Sequence, residues 1–238
     1  MSLILALDSS TDACSVALYA DGAVTSLFEL AAKSHTQRLL PMVDELLRAK
    51  GCELGDLDAI ACGRGPGSFT GLRICAGIVQ GLAFGANLPV VPVSTLEAMA
   101  LGFYRNNQES LPVLVALDAR MNEVYWGLFV RNGDLVSVLA EEALMPPELL
   151  VDQPQILDQQ QRYVGIGPGW HYPAMQVLNP VAQFQDVHPH AENMAWIAAA
   201  KFSEGQTVSA QDAQPVYLRD SVSWQKRQRI RNSNDFLV

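Results

Sequence analysis

The 238-residue chain is long enough for one large or two medium domains with real cores, and 49% of its residues are hydrophobic. A net charge of -9 excludes long-range attraction of the body as a whole to nucleic acid. Four separated cysteines (Cys14, Cys52, Cys62, Cys75) include no CxxC pair, which argues against a zinc or dithiol motif and for buried thiols in a reducing, cytoplasmic setting.

The chain opens with "LILAL", too short and too unbasic for a signal peptide, which runs directly into Asp8. Leu3 to Val24 predicts strand, polar turn, strand, a tight Asp21-Gly22 hairpin and a third strand. At the first turn Asp8, Ser9, Ser10 and Thr11 present a carboxylate and three hydroxyls. That set can hold a nucleotide phosphate, or it can simply stabilise a hairpin through Asx and Ser/Thr bonds to the backbone. Ser34 is placed to cap a helix whose apolar positions Leu39, Val43, Leu46 and Leu47 recur at helical spacing and which ends near Lys50-Gly51.

A strand is predicted over Leu57 to Cys62, followed by "GRGPGSFTGLR", Gly63 to Arg73. Gly65 and Gly67 bare the backbone, Pro66 fixes the turn, and Ser68 or Thr70 caps the next helix, so backbone amides and a positive helix end could meet an anion. The loop is neither a Walker A motif, lacking Gly-Lys-Ser/Thr, nor a nucleophile elbow. In the helix predicted over Thr70 to Phe84, Gly77, Gly81 and Gly85 recur every fourth residue. Such a stripe serves either close packing on the chain's own sheet or the approach of another helix; facing outward, it predicts an oligomer. Ile74 to Leu96 lacks charge and is nominally long enough to span a bilayer, but its glycines, Asn87, Pro89 and Pro92 divide it into helix, turn and buried strand, so no membrane span is expected. A strand over Leu88 to Val93 and a helix over Ser94 to Phe103 complete the first half.

Val113 to Val136 then repeats the opening at an offset of 110 residues, bringing Ala116, Leu117 and Asp118 onto Ala6, Leu7 and Asp8. One inserted residue aligns Asn132-Gly133 with Asp21-Gly22. Strands near Leu111 to Leu117, Val124 to Val130 and Tyr163 to Ile166, the glycine turn "GIGPGW" (Gly165 to Trp170) as a candidate second cleft wall, and a helix from Glu192 to Phe202 follow. His171, His188 and His190 read as loop histidines without a ligand role. The pattern predicts an α/β protein of two related halves, each with a mixed sheet and packed helices, divided as 1–105, 106–214 and a basic tail over 215–238. That tail holds Arg219, Lys226, Arg227, Arg229 and Arg231 against Asp220 and Asp235, and reads as a solvated terminus or as a partner or RNA contact.

Two duplicated halves with Asp turns and glycine loops resemble the actin, sugar kinase and Hsp70 ATPase superfamily, with its duplicated ribonuclease H-like fold. Within it, "GPGSFTGLR", "LALDSST", "SHTQRLLP" and "PVYLR" closely resemble the bacterial TsaB (YeaZ) family. The resemblance implies a non-catalytic role in forming threonylcarbamoyladenosine (t6A) beside the anticodon of tRNAs that read codons beginning with A. The catalytic paralogue TsaD and the ATPase TsaE are the implied partners, with a homodimer in their absence and tRNA met only through the complex. In that paralogue a related loop leads to a metal-binding His-x-x-x-His pair; counted the same way, the positions here hold Thr95 and Met99. No catalytic residue, metal or cofactor is therefore expected, and a nucleotide would be held, if at all, by Asp8, Ser9, Ser10, Thr11, Gly65, Gly67 and Ser68. The implied interface comprises Gly71, Arg73, Gly77, Gly81 and Gly85, with Leu39 and Val43 from the preceding helix. Two rival readings stand beside it: phosphotransfer using Asp8 and Asp118, and tRNA binding through the basic tail.

Overall fold

The computed structural model describes residues 2–30, 35–158 and 162–219. Its backbone forms two five-stranded mixed sheets. In the first, β1 (Leu3–Asp8), β2 (Ala13–Ala20) and β3 (Ala23–Leu30) make an antiparallel meander, and β4 (Ala59–Gly65) and β5 (Val90–Ser94) run parallel to β1 on its other side. The second repeats the plan with β6 (Val113–Asp118), β7 (Val124–Asn132), β8 (Leu135–Met145), β9 (Val164–Ile166) and β10 (Ala182–Phe184). The orders β3-β2-β1-β4-β5 and β8-β7-β6-β9-β10 are the same, as the duplication predicts.

The hairpins differ by one residue from the aligned pair. Asp21 and Gly22 both have positive φ (48° and 85°), the pattern of a type I′ turn. The second turn is Gly133-Asp134, because Asn132 still pairs with Leu135 in the ladder; Gly133 at φ 60° takes the first central position alone. The short strand β10 was not legible, since Ala182–Phe184 is too brief to show a period.

Helix α1 (His35–Lys50) buries His35, Leu39, Met42, Val43, Leu46 and Leu47 at helical spacing. Leu39 and Val43 are therefore core residues, packed with Leu5, Leu7, Cys14 and Val16, and the expectation that they face a partner is corrected. The predicted cap Ser34 lies outside the described residues, as does most of the basic tail. Helix α2 (Phe69–Ala86) starts on Ser68, whose hydroxyl accepts from the Gly71 amide at 3.3 Å, and ends at Asn87 in the left-handed conformation (φ 54°). By length and composition α2 could cross a membrane, yet Leu72, Cys75, Val79 and Ala83 are buried on one face and β5 follows within four residues. Helix α3 (Thr95–Asn106) is capped by Ser94, which accepts from the Glu97 amide at 3.0 Å. A single short turn, α4 (Pro154–Asp158), precedes α5 (Ala191–Ser203).

Alternation along the strands gives each sheet two apolar faces. Helices α1 and α2 cover the Leu5 and Leu7 face of the first sheet. The opposite face, lined by Ile4, Ala6, Ala17, Ala59, Ala61, Val91 and Val93, is covered mainly by Ala191, Met194, Ala195, Ile197 and Ala198 of α5, which comes from the far end of the chain, with Ala98 and Leu101 of α3 beside them. In return, α3 packs Leu96, Met99, Ala100, Phe103 and Tyr104 onto Val113, Val115, Leu117 and Phe129 of the second sheet. Each half lends a helix to the other, so a division after residue 105 follows the sheets and not the helices. The lent helices are joined by a Lys201–Glu97 ion pair at 2.8 Å. A fragment of residues 1–105 exposes the Ile4–Ala61 face, and we expect it to bind a hydrophobic dye and to lack a cooperative urea transition. Adding a peptide spanning 191–214 should restore the transition; a fragment that unfolds cooperatively alone would show that the first sheet does not need α5.

Candidate functional site

The predicted phosphate-binding residues are brought together, but onto one another. Asp8, Ser9 and Ser10 at the end of β1 are fully buried. The amide of Ser68 donates to the Ser10 carbonyl at 2.7 Å, and the Ser9 hydroxyl donates to the Gly71 carbonyl at 3.0 Å. Ser10 turns its own amide (3.2 Å) and hydroxyl (3.0 Å) to Asp8 Oδ2. Thr11, half-buried, accepts from the Ala13 amide at 3.2 Å. The glycines explain the closeness. A Cβ on Gly67 would overlap the Ser10 carbonyl, one on Gly71 the Ser9 carbonyl, and one on Gly63 the Asp8 carboxylate. Gly65, at φ 101°, needs the freedom glycine has there. Gly71 is thus a buried spacer, which corrects its assignment to the interface.

Asp8 carries the electrostatic consequence. Burial pushes its pKa up to about 6, against the lowering effect of the Ser10 hydrogen bonds, and Oδ1 has no hydrogen-bond partner among the described residues. In this closed arrangement the carboxylate has no path to a solvent-borne substrate.

The second half repeats the glycine pattern more fully than the meander alone reveals: Gly65-Pro66-Gly67 after Gly63 matches Gly167-Pro168-Gly169 after Gly165, and Gly167 has the same positive φ, 96°. Here too the glycines serve packing. A Cβ on Gly169 or Gly167 would strike Ala116, one on Gly165 the Trp170 indole, and that indole donates to the Leu114 carbonyl at 3.2 Å. "GIGPGW" therefore anchors Trp170 under β6, which corrects its reading as a cleft wall. Where the first half continues into α2, the second continues into two short 3-10 turns, Pro168–His171 and Pro173–Leu178.

The Asp118 turn is unlike its counterpart. Arg120, Met121 and Asn122 have φ of 62°, 57° and 57°, a left-handed run without glycine that costs about 1–2 kcal/mol per residue. Asp118 steadies it by accepting from the Arg120 amide and the Tyr172 hydroxyl, both at 2.8 Å, and by pairing with the Arg120 guanidinium at 2.8 Å.

Residues Thr95 and Met99 open α3 and are buried, with Met99 directed at Gly167. A hydroxyl and a thioether do not suit a metal that calls for imidazole, so these two residues do not fit the ion that the resemblance implies for the catalytic paralogue. Among the described residues no group of three or more His, Cys, Asp or Glu converges. His190 instead caps α5, accepting from the Glu192 amide at 3.0 Å, and stacks on Phe28 at 4.9 Å.

Opposite the closed loop, α2 turns to solvent a face that none of the described residues covers. Among the described residues a Cβ on Gly77, Gly81 or Gly85 would meet nothing within 4 Å, so the stripe faces away from the sheet. It is flanked by Phe69, 57% exposed, and Phe84, 72% exposed. The Arg73 guanidinium lies 3.3 Å from the centroid of the Phe69 ring, and Tyr217 packs on that ring at 5.6 Å. Sequence reasoning missed the tie between the halves beside this loop: Arg64 pairs with Glu142 at 3.2 Å, and Ser94 hydrogen-bonds the same carboxylate. No local pattern could show it, because Glu142 lies 78 residues from Arg64 and 48 from Ser94.

Two sheets of one topology with exchanged helices define a duplicated actin-like, ribonuclease H-like protein. Residues 27–223 match the family model described as "TsaD: tRNA N6-adenosine threonylcarbamoyltransferase". The chain is 46% identical to the tRNA threonylcarbamoyladenosine biosynthesis protein TsaB of Escherichia coli (strain K12), over 94% of this chain and 97% of that one. With the TsaB of Haemophilus influenzae (strain Rd) identity is 42%, covering 94% and 96%. The solved structure of YeaZ from Pseudomonas aeruginosa superposes with a TM-score of 0.84 at 44% identity, covering 92% of this chain and all of the other. The chain belongs to the TsaB (YeaZ) family, within the wider group that the TsaD model describes.

Two outcomes test the closed loop. Gly71→Ala forces a methyl against the Ser9 carbonyl and should destabilise the protein by about 3 kcal/mol, lowering Tm by about 6–12 °C in calorimetry; an unchanged Tm would mean the loop is not packed as described. For Asp8, a folded-state pKa near 6, above the ordinary 3.8 of an aspartate, means the folded state holds its proton longer than the unfolded one. Stability falls as pH rises from about 4 to about 6 and is level above. Relative to the parent, Asp8→Asn should gain up to about 3 kcal/mol between pH 4 and 7 in urea titrations, and a pH-independent difference would remove the buried, proton-holding carboxyl.

Proposed function

We propose that this chain is a non-catalytic subunit in t6A formation. It supports the transfer of threonylcarbamoyl from threonylcarbamoyl-AMP to the adenosine amine, a reaction carried out by TsaD with TsaE in the assembly. The observation that carries this reading is the bare face of α2, exposed along Gly77, Gly81 and Gly85 and flanked by Phe69, Arg73 and Phe84, in a chain whose own loop is closed upon Asp8. Relatives named for tRNA threonylcarbamoyladenosine biosynthesis, matched over nearly the whole chain, supply the pathway.

The physical role follows from the shape of that face. Glycines let a partner helix approach to backbone contact, while the flanking aromatics and the Arg73 guanidinium provide apolar area and cation-π attraction. Docking there stabilises the partner's active conformation, and tRNA is met through the complex. Left without TsaD, the same face pairs with a second copy of the chain, so homodimer and heterodimer exclude one another.

Following label from threonine into tRNA with TsaD and TsaE, with and without this chain, tests the role: product should require the chain, and the chain alone should make none. Equal product in its absence would end the reading. Gly81→Leu places a bulky side chain into open space on α2, so the monomer should keep its stability or gain roughly 0.5–1 kcal/mol from better helix propensity. Association with TsaD and with itself, measured by analytical ultracentrifugation, should weaken at least tenfold; undiminished association would move the interface elsewhere.

A further inference from the structure

After α5 the chain does not leave the molecule. Val208 pairs with Val90 through two backbone hydrogen bonds of 2.8 and 2.9 Å, covering the free edge of β5. Gln80 on α2 then donates to the Ala213 carbonyl at 3.2 Å, and Ala213 is buried in the first core. The Val216 amide donates to the Arg64 carbonyl at 2.8 Å, at the end of β4, and Tyr217 lies on Phe69 of α2. Two residues on, the chain has crossed to the second half. Arg219 donates to the Ala119 carbonyl at 3.0 Å, pairs with Glu123 at 2.5 Å and reaches Met121 Sδ at 3.4 Å. It thus grips both ends and the middle of the one turn in the protein with three successive left-handed residues other than glycine among those described.

We infer that residues 213–219 form a strap that couples the exposed face of α2 to the Asp118 turn, with Tyr217 sensing what covers Phe69 and Arg73, and Arg219 holding the left-handed Arg120-Met121-Asn122 run in place. The inference rests on the docking role of α2 proposed above. Three facts meet in it. A strained backbone persists only when surrounding contacts hold it, and here the contacts come from another part of the chain. The holding residue is two positions from an aromatic ring that is 43% exposed and packed at a tilt of 45° on Phe69 of the docking face. Between Ala213 and Arg219 the strap has, among the described residues, a single backbone hydrogen bond to the body, at Val216, so a change at Tyr217 has little else to absorb it. A partner seated on Phe69 fixes Tyr217, tightens the strap and stabilises the turn; an empty face leaves the turn free to open.

The test is amide hydrogen exchange of the free full-length chain, read at residues 119–123, whose amides at Ala119 and Glu123 are hydrogen-bonded within the turn. Arg219→Ala should accelerate exchange there by roughly tenfold or more, the loss of charge-assisted contacts. Phe69→Ala, a change at an exposed residue of the other half, should also accelerate it, and the double variant should exchange no faster than Arg219→Ala alone. Met121→Gly relieves the left-handed backbone, so adding Arg219→Ala to it should produce a smaller acceleration than in the parent. Amides of β6 and β7 should be unchanged throughout, which verifies the fold. If Phe69→Ala leaves 119–123 untouched while Arg219→Ala opens it, the strap does not couple the halves and the inference fails. It fails equally if Arg219→Ala has no effect, or if Met121→Gly leaves the Arg219 effect at full size. Protection of α2 on addition of TsaD is a separate readout: its absence would refute docking, whatever the free chain does.

Discussion

The structure depends on backbone-to-backbone contact between the start of α2 and the Asp8 turn. Gly67 and Gly71 lie against the Ser10 and Ser9 carbonyls with no room for a side chain, and the Ser68 amide and Ser9 hydroxyl fasten the two segments. From this contact follow the burial of Asp8, the closure of the loop against solvent and the angle at which α2 leaves the sheet. Because Leu72, Cys75, Val79 and Ala83 must then face the core, the stripe of Gly77, Gly81 and Gly85 is obliged to face outward. A loop chemically able to receive an anion instead packs its backbone against the Asp8 turn and fixes the start of α2.

The two halves show how one plan diverges after duplication. Both keep the meander, the Asp turn and the Gly-x-Gly-Pro-Gly corner. In the first, serines 9 and 10 lock the Asp turn from within; in the second, the turn has no hydroxyls, and Arg120, Met121 and Asn122 adopt a backbone that needs Tyr172 and Arg219 from elsewhere. The first corner opens an eighteen-residue helix, and the second collapses into 3-10 turns around Trp170. The half that kept its helix thereby carries the exposed glycine stripe of α2.

Much of this was legible in the sequence, and the reasons for the remainder are physical. The meanders, α1, α2, α3 and α5 announced themselves through period and turn residues, as with the cap Ser68 before Phe69 and the break at Asn87 after Ala86. The glycine stripe was visible as a stripe, but a repeat every fourth residue does not say which way it points. Only the burial of Leu72, Cys75 and Val79 decides that. Leu39 and Val43 looked equally suited to a partner or a core, since both want the same apolar spacing. The glycines of the two loops suggested phosphate because bare backbone serves an anion and a neighbouring strand alike. The Arg64–Glu142 tie and the reach of Arg219 depend on contacts far apart in the chain, which no window of sequence contains.

The exchange of helices sets an order of events during synthesis. A ribosome that has released the first five strands has made a sheet with one face open, and the helix that covers it, α5, is encoded some hundred residues later. The nascent first half must therefore wait, with Ile4, Ala6, Val91 and Val93 unshielded, until the second half has emerged. Such non-local closure slows folding and lengthens the exposure of apolar surface. The small side chains on that face, Ala6, Ala17, Ala59 and Ala61, let α5 sit close in the finished protein; in the unfinished one they also keep the waiting surface thinly apolar.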